Sequence, residues 1–290
     1  MPSIFELHYS KTNTYLIEGS KKTILFDTGW AGSFGEFERE LHRNKKSVAD
    51  IDYILMSHYH PDHCGLAQEI ADKGAVILAA DVQAAFFHYA DAVYEKEGNK
   101  SFMPVKDSKV KVISCAESRE FLSAVGIDGE LLYTPGHSDD SITLILDEGS
   151  AFVGDLNPLY ELELHKGTQI EDSWNLIFSH NPKTLYYGHA KKHRMDEADE
   201  KTSEERKPEK TQKVSFFSKL FGRSQKKEVD ETYTLVSDIM SMIDSGTNID
   251  RICKITGADR VLVEDINRMY LTHPGVSVQG ILDRIEIKGR

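Results

Sequence analysis

The segment LMSHYHPDHCG, Leu55 to Gly65, places His58, His60, Asp62 and His63 within six residues. Imidazoles and carboxylates gathered so closely lose hydration at a cost unless water or a cation compensates them. At a strand end His58 and His60, two apart, point to one side. Pro61 then turns the chain, so Asp62 and His63 face the same space from another direction. Four donors on one bend can therefore serve two adjacent ions.

Three further candidates lie far along the chain: His137 in YTPGHS, Asp155 in FVGD and His189 in YYGHA. Each follows a short apolar run that reads as a strand, beside a Gly that allows close backbone approach. Taken singly, each would be an ordinary surface or turn residue. In layered α/β domains, however, the strand ends and the loops after them build the site, so the three are expected to converge on the first bend. Five His and two Asp can give one ion three imidazoles and another two imidazoles with a carboxylate, the remaining carboxylate lying between. Such donors suit Zn2+ best and also accommodate Fe or Mn, so two divalent transition-metal ions per chain are expected. Two cations sharing a water lower its pKa, and the chemistry that follows is attack by a metal-bridging hydroxide on a carbonyl or phosphoryl centre.

The elements that must position these residues are legible from periodicity. Asn13–Gly19 and Lys22–Gly29 read as a hairpin, residues 52–58 as a strand ending at the His cluster, 65–74 as a helix and 75–80 as another strand. Residues 35–44 and 173–179 have helical patterns, and strands are predicted at 130–136, 141–148, 151–155 and 184–190. Short apolar strands among helices imply an α+β or α/β layered domain over residues 1–190. Residues 191–230 form a charged linker or insertion. Within it a basic amphipathic island at 213–227, with Phe216, Phe217, Leu220 and Phe221 among lysines, could meet a membrane surface or a protein partner. Residues 231–290 read as a small all-α, helix-turn-helix-like region, with a turn at Gly257. Glu264 and Asp265 make its second helix a poor face for DNA, so packing or homodimerisation is the expected use.

Composition narrows the classes. A formal net charge of −12 over 290 residues argues against a general affinity for nucleic acid. Cys64, Cys115 and Cys253 show no C-x-x-C spacing and read as reduced thiols. With no signal-like leader and no apolar run of spanning length, a cytoplasmic location is expected.

In SHYHPDHCG, TPGHS, VGD and YGHA, taken in that order, the sequence resembles the metallo-β-lactamase superfamily, and NTYLIEGSKKTILFDTG resembles its opening hairpin. The resemblance covers residues 1–190. It implies an αβ/βα sandwich in which His58, His60 and His137 hold one metal, Asp62, His63 and His189 hold the second, and Asp155 lies between. It further implies that Asp27 supports the metal loop and that Asp62 orients the attacking hydroxide. Tyr59, Tyr160, His165 and Lys166 are the candidates to hold substrate or protonate a leaving group. Relatives with an added helical C-terminal part point to a small ester, thioester or lactone, in the manner of glyoxalase II and lactonases. A phosphodiester is the alternative within the fold. From another class, the alternative is a metal-containing regulatory or binding module without turnover.

Overall fold

The structure is a computed structural model, and it describes residues 2–196, 225–245, 247–272, 278 and 281–282. It comprises two compact units, one within residues 1–94 and 99–198, the other within 95–98 and 199–290. In chain order the first contains β1 (Ser3–Tyr9), β2 (Thr12–Glu18), β3 (Thr23–Phe26), α1 (Phe34–Arg43), β4 (Tyr53–Leu55), α2 (Pro61–Cys64), α3 (Ala67–Ala71), β5 (Val76–Ala80) and the start of α4 (Tyr89–Glu97). There follow β6 (Val110–Ile113), α5 (Ser118–Ala124), β7 (Gly129–Tyr133), β8 (Ile142–Leu146), β9 (Ser150–Gly154), α6 (Gln169–Ser179), β10 (Thr184–Tyr187) and β11 (His193–Arg194).

Two sheets result, ordered β1-β2-β3-β4-β5-β6 and β11-β10-β9-β8-β7. The sequence says why they stack. Along a strand, successive side chains face opposite sides, and here both sides are apolar. In β3, Ile24 and Phe26 enter the core between the sheets, while Leu25 joins the core under the helices of the first sheet. β5 repeats the division, with Leu78 and Ala80 between the sheets and Ile77 and Ala79 toward the helices. In the second sheet Phe152 of β9 points inward, while Ala151 and Val153 meet Trp174, Ile170 and Ile177 of α6. Each such large side chain contributes about 1.5–3 kcal/mol on burial, and a one-residue slip would exchange the two faces. The outcome is an αβ/βα sandwich.

Several elements depart from the sequence pattern. β1 pairs antiparallel with β2 from Ser3↔Glu18 to Tyr9↔Thr12, although Glu6 and His8 blur its apolar alternation. β6 escapes notice because it is a short edge strand with an exposed Val112. The helix predicted over 65–74 is shortened to Ala67–Ala71. Gly65 is the reason: its N–H donates to the Gly29 carbonyl at 2.9 Å, and an added Cβ would lie 2.2 Å from Ala31 N.

The second unit contains α7 (Gln225–Asp244), α8 (Ile249–Thr256) and α9 (Arg260–Thr272). Their apolar stripes meet in a core that includes Val236, Ile239, Ile243, Ile252, Val263 and Ile266. The Asn248 side chain caps α8 by accepting from Arg251 N at 2.9 Å, and Gly257 ends it with φ 69°. Arg260 is engaged by Glu264 at 2.8 Å and by Asp250. Residues 213–224 of the basic island and most of residues 273–290 of the all-α region lie outside the described residues. Among the described residues no helix is long and apolar enough to cross a membrane.

Candidate metal centre

Strand direction decides where the donors meet. β7 and β9 both run antiparallel to β8, and β10 runs parallel to β9, so β7, β9 and β10 end at the same edge of the second sheet. His137, Asp155 and His189 follow those three ends. β4 brings the His58–His63 bend to the same edge, where Ile142 N donates to the Ser57 carbonyl at 2.9 Å. Pro61 occupies the first helical position of α2, where its missing N–H costs nothing, and His63 N and Cys64 N close the turn onto the His60 carbonyl.

The seven side chains form two groups. In the first, donor atoms of His58, His60 and His137 lie within 4.8 Å of one another, and His137 Nε2 is 3.1 Å from His60 Nδ1. In the second, donor atoms of Asp62, His63, Asp155 and His189 lie within the same span. His189 Nε2 is 2.9 Å from Asp62 Oδ2 and 3.4 Å from Asp155 Oδ2, and His63 Nε2 is 3.3 Å from Asp155 Oδ1. Asp155 also approaches the first group, with Oδ2 3.7 Å from His137 Nε2. This crowding needs Gly188, since a Cβ there would lie 2.5 Å from Asp155 Oδ1 and 2.8 Å from His63 Cε1.

A layer behind the donors fixes their orientation. Asp27, fully buried with φ 61°, accepts from Ser57 N at 2.7 Å, from Ser57 Oγ at 2.9 Å and from His63 Nδ1 at 2.8 Å. The single Ser57 hydroxyl proton goes to this carboxylate, so Ser57 Oγ accepts from His58 Nδ1, 2.9 Å away. That assigned tautomer leaves a lone pair on His58 Nε2. The exposed His189 is oriented by its Nδ1, which donates to the Lys11 carbonyl at 2.8 Å.

Charge divides the groups further. Burial, assisted by His63, His60 and His137 nearby, pushes His58 well below its ordinary pKa and keeps it neutral. For His63 burial also opposes charge, but Asp155, Asp27 and Asp62 overrule it and raise the pKa well above the ordinary value. His189 behaves alike: burial opposes charge, yet Asp155 and Asp62 raise it to about 10. Burial by itself would raise Asp62 and Asp155, whereas the facing imidazoles His63 and His189 bring both below the usual carboxylate range.

These residues fit a pair of divalent cations. Among the described residues, His58 Nε2, His63 Nε2 and Asp155 Oδ1 are buried without a hydrogen-bond partner. An unmatched buried polar atom costs about 1–3 kcal/mol; a cation would take the His58 Nε2 lone pair, and a second would replace the proton by which His63 Nε2 faces Asp155 Oδ1 at 3.3 Å.

Of the other candidates, Tyr59 is 1% exposed and packs on Phe87 at 5.2 Å in the core, so its ring turns away from the donors. His165 closes the turn Leu159–His165 after Asp155, with Nε2 4.0 Å from Glu161, and Lys166 follows it, exposed. The Tyr160 side chain lies outside the described ones. Sequence reasoning missed Ser57, Asp140 and Gln83. The Asp140 carboxylate accepts from Tyr59 N at 2.7 Å, and Gln83 Nε2 donates to the Met56 and Asp140 carbonyls at 3.1 and 3.2 Å. Only Asp140 carried a signal, as one of two Asp directly after GHS.

Comparison with known proteins identifies the family and the fold. The metallo-beta-lactamase superfamily model matches residues 10–190. A Drosophila melanogaster beta-lactamase-like protein 2 homolog is 29% identical over 191 residues, which cover 61% of this chain and only 58% of the fly protein. A Methanocaldococcus jannaschii protein, named a probable metallo-hydrolase, is 33% identical over 190 residues, covering 61% of this chain and 87% of its own. Among solved structures, the BLEG-1 B3 metallo-beta-lactamase shares the fold with a TM-score of 0.50 at 19% identity, over 67% of this chain and 94% of that one.

Proposed function

Because the chain belongs to the metallo-beta-lactamase superfamily, we propose that it is a metal-dependent hydrolase acting on a small ester, thioester or lactone. The observation that carries this reading is the convergence of seven donors in two groups, three of whose donor atoms are buried without a hydrogen-bond partner among the described residues. His58, His60 and His137 would hold one divalent cation and Asp62, His63 and His189 the second, with Asp155 facing both. When bound, such cations supply a lowered pKa for water at the site and polarisation of the substrate carbonyl.

The rest is the work of the chain's own residues. Asp62 is ionised, and its carboxylate accepts a hydrogen bond from the attacking water, holding the oxygen lone pair toward the carbonyl carbon. Asp27 keeps its proton-accepting face on His63 Nδ1, so the opposite nitrogen stays aimed at the site. Ser57 does the same for His58. His165 and Lys166, in the segment after Asp155, are the groups proposed to meet the leaving group or an anionic substrate.

The test is direct. Metal per chain is measured on the purified protein, and hydrolysis is assayed on panels of thioesters, lactones and bis-aryl phosphodiesters. Turnover of a thioester or lactone that is lost on chelation and in Asp62→Ala supports the reading. Turnover confined to phosphodiesters would replace the substrate class, and full metal loading with no turnover on any panel would make the protein a binding module.

A further inference from the structure

The donors are not held by equal means. His58 and His63 are buried and held by Ser57 and Asp27 beneath them, whereas the His189 side chain is 39% exposed and follows Gly188. Its orientation must come from hydrogen bonds. Those bonds come from the other sheet, since the loop after β10 is gripped by the β1–β2 hairpin.

Asn13 makes most of this grip. Its main-chain N–H donates to the Gly188 carbonyl at 2.7 Å, and its Nδ2 donates to the carbonyls of Tyr187 at 3.0 Å and Ala190 at 2.8 Å. The three carbonyls bracket His189. Asn13 Oδ1 lies 2.8 Å from His8 Nδ1, and acceptance from this ring turns the amide so that its NH2 faces the loop. Beyond Asn13, the two-residue turn Ser10–Lys11 has φ 46° and 67°, left-handed at both positions without a glycine. That turn presents the Lys11 carbonyl to His189 Nδ1.

We propose that Asn13 is a positioning residue for His189, and that through it the β1–β2 hairpin preorganises the second cation's site. This rests on the dinuclear reading above. The Tyr187 carbonyl also accepts from the Tyr15 hydroxyl at 2.7 Å, so the side chain's distinctive contribution is its bond to the Ala190 carbonyl, on the far side of the histidine. A carboxylate in its place would set oxygen against oxygen.

The experiment uses the full chain as Asn13→Asp and Asn13→Ala, titrated with Zn2+ against a competing chelator. Affinity for the second ion is expected to fall about 10–100-fold, as for outer hydrogen-bond partners of metal ligands, with the first ion unaffected. Lys192→Ala is the control. It removes an ion pair with Glu6 between the same two sheet edges without touching the three carbonyls, so second-ion affinity should stay at the parent value. In a His189→Ala background the Asn13→Asp effect should vanish, because Asn13 acts through that ring. Second-ion affinity within twofold of the parent in both Asn13 variants, or an undiminished loss in the His189→Ala background, overturns the proposal. Should Asn13→Asp not fold, Asn13→Ser retains one donor and should give an intermediate loss; parental affinity in it counts against the proposal. A parent chain that takes up fewer than two ions refutes the dinuclear reading itself, before any variant is made.

Discussion

The two donor groups lie side by side yet are built on opposite electrostatic plans. The first consists of three imidazoles whose rings are 4.3 to 4.9 Å apart, and its most buried member is held neutral. The second alternates carboxylates with imidazoles that hold their protons strongly. In the metal-free protein, protons on His63 and His189 do for Asp62 and Asp155 what a cation would do. The first group offers a ready lone pair; the second must release protons before it can bind. Two neighbouring sites on one fold can thus differ in metal affinity and in pH response without differing much in geometry.

Among the described residues Asp155 is the carboxylate that approaches both groups, so its loss should do most to erase the difference between them. Asp155→Ala is expected to lower hydrolysis about 10³-fold, in the range for removing a residue central to proton and metal chemistry. Metal analysis should find at most one ion per chain. Two tightly held ions in that variant would show that the groups are independent.

pH should separate the groups next. His189 is raised from 6.5 to about 10, so in the apoprotein its pairing with Asp62 and Asp155 contributes stability in full below pH 6.5 and loses it as pH rises through about 10. The carboxylates act oppositely: their contribution is present above the ordinary carboxylate range and is lost on acidification. The apoprotein Tm should therefore decline from pH 6.5 to 10, and the metal-loaded protein should not share that decline. Calorimetric titration in buffers of different ionisation enthalpy should detect at least one proton released by the second ion, whose affinity falls about tenfold per pH unit per displaced proton. Equal proton release by both ions would end the distinction.

Asp27→Asn and Ser57→Ala perturb the layer behind each group. Asp27→Asn removes the acceptor for His63 Nδ1 and should weaken the second ion about 10–100-fold, while Ser57→Ala removes the acceptor for His58 Nδ1 and should weaken chiefly the first. Chelator competition on the two variants checks this. Ser57 Oγ is also 3.3 Å from His63 Nδ1, so its effect on the second ion should be smaller but measurable.

Much of this arrangement was legible in the sequence because it follows from local rules. Apolar runs end at Leu55, Tyr187 and Gly154 with a donor just beyond each, and strand direction then brings the donors to one edge. The hairpin of β2 and β3 and a layered α/β domain were also legible from short apolar strands among helices, whereas the αβ/βα order of the layers followed from the resemblance of the motifs. What escaped was non-local. Nothing around Asn13 announces carbonyls more than 170 residues away, and nothing in MSH shows that Ser57 divides its hydroxyl between Asp27 and His58. Tyr59 sits within the motif, but alternation along the chain from β4 sends it the other way from His58 and His60.

That alternation can be tested where the smallest effect is expected. The Tyr59 hydroxyl is buried with no hydrogen-bond partner among the described residues, and the ring packs on Phe87 beneath the first group. Tyr59→Phe removes an unsatisfied polar atom and keeps the ring, so the protein should gain about 1 kcal/mol in a denaturant titration. KM and kcat should stay within twofold, because no part of this side chain reaches the donor space. A clear rise in KM would mean that the hydroxyl faces substrate after all, and that the bend between His58 and His60 is not the extended, alternating segment on which the three-imidazole group depends.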